Sequence, residues 1–171
     1  MATIRHASFA PHVAADTRLL ILGSLPGARS LAARQYYAHP TNQFWRLLGA
    51  ATGCPLASLP YEQRLAALRD RRVGLWDVIR TAARRTSSDG DIREAEPHDL
   101  AMLVADLPHL RMIGFNGAKA AAIGRRQLPP LAGVTLIDLP SSSAAYTIGF
   151  DAKLEQWRGL GNALASDRAS R

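Results

Sequence analysis

The chain has 171 residues, the length of one ordinary domain. Hydrophobic residues make up 47 % and charged residues 20 %, enough apolar material for a core, which excludes a disordered tail, a collagen-like repeat and a coiled coil. Against 14 Asp and Glu stand 21 Lys and Arg, a formal charge of +7 that admits a nucleic-acid partner but does not require one, since a GC-rich genome also favours Arg codons.

Met1 to Ala10 carries Arg5 and His6 and no apolar segment of the kind a secretory signal needs. No apolar run approaches the ~18 residues of a membrane span. The expected location is the cytoplasm, where Cys54, the single cysteine, can form neither an internal disulfide nor a cysteine zinc site. Residues 1–15 are expected to be peripheral. Arg18-Leu-Leu-Ile-Leu22 is a short apolar run with the pattern of a buried strand. It enters Gly23-Ser-Leu-Pro-Gly27, a turn whose glycines let a ligand approach the backbone. Ser30 is placed to cap a short helical segment reaching Tyr36, and Thr41 to cap the next, where Phe44, Leu47 and Leu48 recur at helical spacing.

Tyr61 to Arg72 predicts an amphipathic helix, and apolar Val73 to Ile79 fits a strand or one helical turn. The polar stretch Thr81 to Glu96 predicts a loop of functional length. A helix over Asp99 to Leu107 precedes a second central strand, Arg111 to Phe115, then the turn pair Asn116-Gly117 and a helix over Ala118 to Arg125. Val134 to Asp138 is another strand and runs into Leu139-Pro-Ser-Ser-Ser143. A last helix, Asp151 to Leu164, turns Leu154, Trp157, Leu160 and Leu164 inward, and residues 166–171 are expected to be peripheral. Strands alternating with helices along the whole chain predict one α/β domain over 1–171, with a mostly parallel sheet and helices on both faces. The polar clusters Gly23–Gly27, Asn116–Gly117 and Ser141–Ser143 fall where strands end, which predicts a shared cleft beyond the carboxyl edge of the sheet.

Several chemistries are excluded by spacing. Gly114-Phe-Asn-Gly-Ala-Lys119 is not a phosphate loop, no G-x-S-x-G elbow exists, and Gly23-Ser-Leu-Pro-Gly-Ala is not a dinucleotide fingerprint. The five histidines show no metal-ligand spacing.

Five blocks remain: G-S-x-P-G-x-x-S-L (Gly23–Leu31), Q-Y-Y-A-H-P-x-N-x-F-W (Gln35–Trp45), G-L-W-D-V-I (Gly74–Ile79), F-N-G-x-K-A (Phe115–Ala120) and L-P-S-S-S (Leu139–Ser143). In this order, over roughly Leu19 to Trp157, they resemble the uracil-DNA glycosylase superfamily and within it the hypoxanthine-DNA (deoxyinosine) glycosylase group. The resemblance implies a three-layer α/β/α sandwich around a central, mostly parallel four-stranded sheet. It further implies a monofunctional enzyme that flips a deaminated base out of DNA. Water then hydrolyses the N-glycosidic bond of hypoxanthine, or of uracil or xanthine, and leaves an abasic site. DNA carrying such a base is the expected partner, with no metal and no organic cofactor, and a monomer is the simplest assembly.

A pocket for a flipped base wants an aromatic face, amides for the base edge, and tight loops for the flanking phosphates. Gly23, Ser24, Leu25, Phe44 and Asn116 are the candidates for the base, and Pro26, Gly27, Ser30, Ser141, Ser142 and Ser143 for the DNA backbone. Most relatives carry Asp or Asn where this chain has Leu25, which cannot orient water. In the hypoxanthine group that task falls to the Asn of H-P-x-N-x-F-W, which carries over to Asn42 as an amide that orients water and stabilises charge. Tyr146 or Ile148 stands in the loop where relatives insert a wedge.

Each of these residues also has a plain reading. Asn42 fits an ordinary helix start, Phe44 and Trp45 fit a core, Asn116-Gly117 fits a turn, and Trp76 and Asp77 read as structural. A mismatch-type uracil glycosylase, a catalytically silent DNA-binding module of the same fold and a small-nucleotide-binding protein are the competing functions.

Overall fold

The computed structural model describes residues 4–165. In chain order these form β1 (Arg5–Ala7), β2 (Leu19–Gly23), α1 (Ala28–Ala33), α2 (Phe44–Thr52), α3 (Tyr61–Asp70), β3 (Val73–Asp77), β4 (Ile79–Ala83), β5 (Arg93–Pro97), α4 (Leu100–Ala105), β6 (Met112–Asn116), α5 (Ala118–Gln127), β7 (Thr135–Leu139), α6 (Phe150–Trp157) and α7 (Asn162–Ala165). Short 3-10 turns lie at Leu56–Ser58, Asp89–Asp91 and Arg158–Gly161.

The central sheet runs β3-β2-β6-β7 with every pairing parallel. Every residue of β2, β3 and β6 is buried, the condition under which a continuous apolar run is stable as a strand covered on both faces. Alternate side chains feed two cores. Leu19 and Ile21 pack with α2, α3 and α6 through Leu47, Leu48, Leu68 and Trp157. Leu20 and Leu22 join Ile113 and Phe115 of β6, Leu100 and Val104 of α4, and Ala120 and Ala121 of α5. The result is the expected α/β/α sandwich.

Chain order reverses between β2 and β6. The connection from β2 goes outward to β3, and the chain then crosses back to β6 and on to β7. A crevice at the carboxyl ends of the strands follows from that reversal.

Three expectations are corrected and one left open is resolved. Thr81 to Glu96 is not one loop, because its two ends belong to β4 and β5, which form an antiparallel second sheet in the order β1-β4-β5. All five residues of β5 are exposed, so no apolar alternation marks it; pairing to β4 and the ion pairs of Glu96 with Arg5 (2.8 Å) and Arg80 (2.7 Å) hold it instead. The stretch from Val73 is a strand as far as Asp77, not a helical turn.

The N-terminal segment is not peripheral: β1 pairs with β4, His12 bridges Leu75, and the Tyr36 hydroxyl donates to the Ala10 carbonyl at 3.0 Å. The last helix is broken by a 3-10 turn at Arg158–Gly161, yet Trp157 and Leu160 still reach the core. Residues 166–171 lie outside the described residues. Among the described residues no helix is long and apolar enough to cross a membrane.

Candidate active site

At the carboxyl ends of the central strands lies a cavity of about 900 Å³, walled by the loops that follow β2, β4, β6 and β7 and by residues 36–42. Its floor begins where β2 stops. Gly23 pairs in register with Asp77, and its carbonyl accepts from Val78 N–H at 2.8 Å. A Cβ on Gly23 would sit 2.7 Å from Asp77 Oδ1 and 2.8 Å from Tyr37 Oη, so only glycine lets these three meet.

The loop after Gly23 is clamped by the polar segment that follows β4. Ser24 Oγ donates to Asp89 Oδ1 at 2.7 Å, the Ala28 N–H donates to Ser87 Oγ at 3.0 Å, and the buried Arg84 guanidinium donates to the carbonyls of Leu25 and Pro26. Leu25 turns into the α4–α5 core and still lines the cavity, as do Pro26 and Gly27. Ser30 does not cap α1; Gly27 occupies that position. Ser30 is instead buried and accepts from the Ala38 N–H at 3.1 Å, which ties α1 to the 36–42 wall.

That wall carries Asn42, whose side chain lines the cavity and whose Oδ1 accepts from the Phe44 N–H at 3.0 Å. Asn42, not Thr41, therefore satisfies the first turn of α2, and this bond fixes the orientation of its amide. The plain and the functional reading of Asn42 meet in one side chain.

Phe44 is corrected as a base-facing ring. It is fully buried, packed edge-on to Trp45 and Trp157 and stacked at 3.6 Å and 11° on Tyr37, so that Tyr37 lies on the cavity and Phe44 behind it. Tyr37 holds a positive φ of 53°, a backbone conformation that costs free energy for a bulky residue and persists where surroundings enforce it. The adjacent tyrosines of Gln35–Trp45 were the only sequence signal for it.

Asn116 spends its amide inside the protein. Its Nδ2 donates to Ser142 Oγ and its Oδ1 accepts from the Ser142 N–H, both at 2.9 Å. Ser142 is accordingly fully buried and not a phosphate contact, while Ser141 and Ser143 on either side line the cavity. Behind them Lys153 of α6 is buried, donating to Gln43 Oε1 at 2.9 Å and to the Ser143 carbonyl at 2.8 Å, and burial lowers its pKa. Tyr146 (47 % exposed) and Ile148 (41 %) project from the same loop, with Tyr146 on the cavity. Arg29 and Lys119 also line the cavity, bases that sequence reading did not single out.

Asp77, read from sequence as structural, lies on the cavity and is the most perturbed acid there. It is 4 % exposed, and burial first, then the charge of Asp89, push its carboxyl up to about 7 against the opposing pull of Arg84. Asp77 Oδ2 is buried without a hydrogen-bond partner, and Tyr37 Oη is buried beside the Asn116 side chain, which opposes the rise of its pKa. Burial, and after it Asp77, push the Tyr37 phenol up. Among the described residues no group of His, Cys, Asp and Glu is arranged to hold a metal ion.

Comparison with known proteins places this geometry among relatives. The family model of the Uracil DNA glycosylase superfamily matches residues 10–160. A hypoxanthine DNA glycosylase of Methanosarcina acetivorans is 43 % identical over 133 residues, 76 % of this chain and 81 % of that protein. Its counterpart from Methanosarcina barkeri is 41 % identical over 117 residues, 68 % of this chain and 74 % of that protein. A solution NMR structure of a candidate uracil DNA glycosylase from M. acetivorans superposes with a TM-score of 0.81 at 36 % identity, covering 94 % of this chain and 99 % of that one.

Proposed function

The chain belongs to the uracil DNA glycosylase superfamily, and from that premise we propose that it is a monofunctional glycosylase that removes hypoxanthine from DNA, with xanthine and uracil as lesser substrates. The observation that carries the reading is Asn42: a polar amide on the cavity, its rotamer set by the Phe44 N–H, opposite a first loop in which Leu25 offers no group to hold water. The two relatives named for hypoxanthine support the same choice of base.

In the reaction a nucleotide leaves the duplex and enters the cavity. Unstacking costs a few kcal/mol and is least for a base that is already mispaired. Tyr37, backed by Phe44, supplies an aromatic wall. The Asn42 amide orients a water toward C1′ of the sugar. As the C1′–N9 bond breaks, its electron pair leaves with the base; water oxygen bonds to C1′, and the water's proton passes to solvent or to the departing base. An amide is too weak a base to remove that proton outright, so its contribution is position and the stabilisation of positive charge on the sugar.

Ser141, Ser143 and the Pro26–Gly27 turn face the phosphates, with Lys119 and Arg29 adding charge. Tyr146 at the mouth is placed to fill the gap left by the flipped base. The acting unit of this reading is a monomer that works where the chromosome lies.

The test uses end-labelled duplexes carrying one hypoxanthine, xanthine or uracil, or no lesion. Release of free base, with the strand intact until alkali cuts it, is the expected result, fastest for hypoxanthine. Strand cleavage without alkali would contradict the water mechanism, and faster release of uracil would make this a uracil enzyme instead.

A further inference from the structure

Resting on the glycosylase reading, we propose that Lys153 is a positioning residue, a buried ammonium that joins the DNA-holding serine loop to the segment carrying Asn42 and so keeps the water aligned on C1′.

Lys153 puts a charge where packing asks for none. It lies on the inward face of α6, one turn before Trp157, and is 1 % exposed. An interior ammonium is costly unless its hydrogen bonds are met, and a well-packed apolar side chain would serve the fold as well or better. Two oxygens meet it, Gln43 Oε1 at 2.9 Å and the Ser143 carbonyl at 2.8 Å, and the centre of the Tyr146 ring lies 5.7 Å away. One cation thus reaches the residue next to Asn42, a serine on the cavity and the exposed tyrosine at its mouth.

These three groups share the geometry of attack. The sugar is placed by its flanking phosphates, and the phosphates by the loop of Ser141 and Ser143. The water is placed by Asn42. In-line attack needs a fixed distance between these two segments, and a displacement of about 1 Å can cost on the order of 100-fold in rate.

The bond from the Phe44 N–H aims the Asn42 amide, but it does not set where the start of α2 stands relative to the serine loop. Gln43 does, because it is joined to that loop twice. Its N–H donates to the Ser142 carbonyl at 2.9 Å, and its side-chain oxygen takes the ammonium that also holds Ser143. Ser142 itself is held by Asn116. Loss of Lys153 therefore leaves a loop that still grips DNA, beside a water that has drifted.

The test is a double-mutant cycle on single-turnover release of hypoxanthine from a saturated duplex. It uses Lys153→Met, Asn42→Ala and the two together, with DNA affinity measured for each. Methionine keeps much of the stem and removes the ammonium. Lys153→Met alone should slow release by roughly 10- to 100-fold, with DNA affinity within about threefold of the wild type. Beside Asn42→Ala, where no amide is left to align, the same change should slow release by less than about threefold. A residue that only holds the fold together would slow both backgrounds by the same factor. Losses that multiply in the double variant overturn the proposal, as does a Lys153→Met protein that releases base at the wild-type rate or loses only DNA affinity.

Gln43→Leu removes the same link from its other end, at a half-buried position, and leaves Lys153 its bond to Ser143. It guards against a Lys153→Met protein that fails to fold, and should show the same slowing and the same silence beside Asn42→Ala. Multiplying losses there overturn the proposal too. A wild type inactive on every duplex would defeat the glycosylase reading and this role with it, whereas an active wild type leaves the cycle to judge Lys153 alone.

Discussion

At the scale of single residues, the cavity sets stability against use. Asp77 is buried and feels the charge of Asp89 and of the Arg84 guanidinium, and burial first pushes its carboxyl from the ordinary 3.8 up to about 7. Its folded pKa lies above its unfolded one, so the folded state holds the proton more tightly. Stability owed to this group is full below about pH 4 and is lost as pH rises toward 7, by up to about 4 kcal/mol.

Asp77→Asn should therefore raise the thermal midpoint above pH 7 and leave it nearly unchanged at pH 4. Melting curves at the two pH values check this, and a variant less stable at pH 8 contradicts it. Sequence hid the place of Asp77 on the cavity because Trp76-Asp77 ends an apolar run, where an acid reads as a strand terminus. The exchange of Phe44 for Tyr37 at the cavity was equally hidden: helical spacing says that one ring of α2 is buried, but not that a loop tyrosine slides across its face.

At the scale of elements, the serine loop after β7 is a strut more than a surface. Ser142 is pinned by both ends of the Asn116 amide, and Ser143 is held from behind by Lys153, which also grips Gln43 next to Asn42. Removing one partner leaves buried polar groups unsatisfied, so Asn116→Ala should cost about 1–3 kcal/mol in chemical denaturation. Ser141→Ala removes only an acceptor for the Ser143 N–H in a residue that lines the cavity, so it should cost less stability than Asn116→Ala and weaken DNA binding instead. Equal losses of stability in the two variants would contradict the division.

The three serines were legible as a group. Their separation into one buried serine and two that line the cavity was not, because it depends on Asn116 lying across a parallel pairing from Leu139. β4 and β5 were illegible for another reason. β5 is wholly exposed, so neither alternation nor an apolar run marks it.

At the scale of the molecule, the four apolar runs, their spacing by helices and the glycine and serine clusters at strand ends were enough to place a parallel sheet and a cleft at its carboxyl edge. Long-range pairing then added what local pattern lacks: the second sheet, the built-in N-terminal segment and the strand order that opens the crevice. The formal charge of +7 suits a DNA partner where part of it lies at the cavity. Arg29 and Lys119 lie on the cavity. Replacing both with Ala should lower the salt-dependence slope of DNA binding by about 2, close to one for each phosphate that is no longer neutralised. The same change should leave release of bound base nearly unaltered, and an unchanged slope would remove these residues from the DNA interface.

The central claim is that water held by Asn42 cuts the bond to a deaminated base. The direct measurement is single-turnover release of hypoxanthine from a saturated duplex by the wild type and by Asn42→Ala, with the DNA affinity of each recorded alongside. The account predicts a loss of about 100-fold or more in the release rate, on the scale of removing a positioned catalytic group, with DNA affinity preserved. Release by Asn42→Ala at the wild-type rate would contradict it and return Asn42 to its other task, closing the first turn of α2.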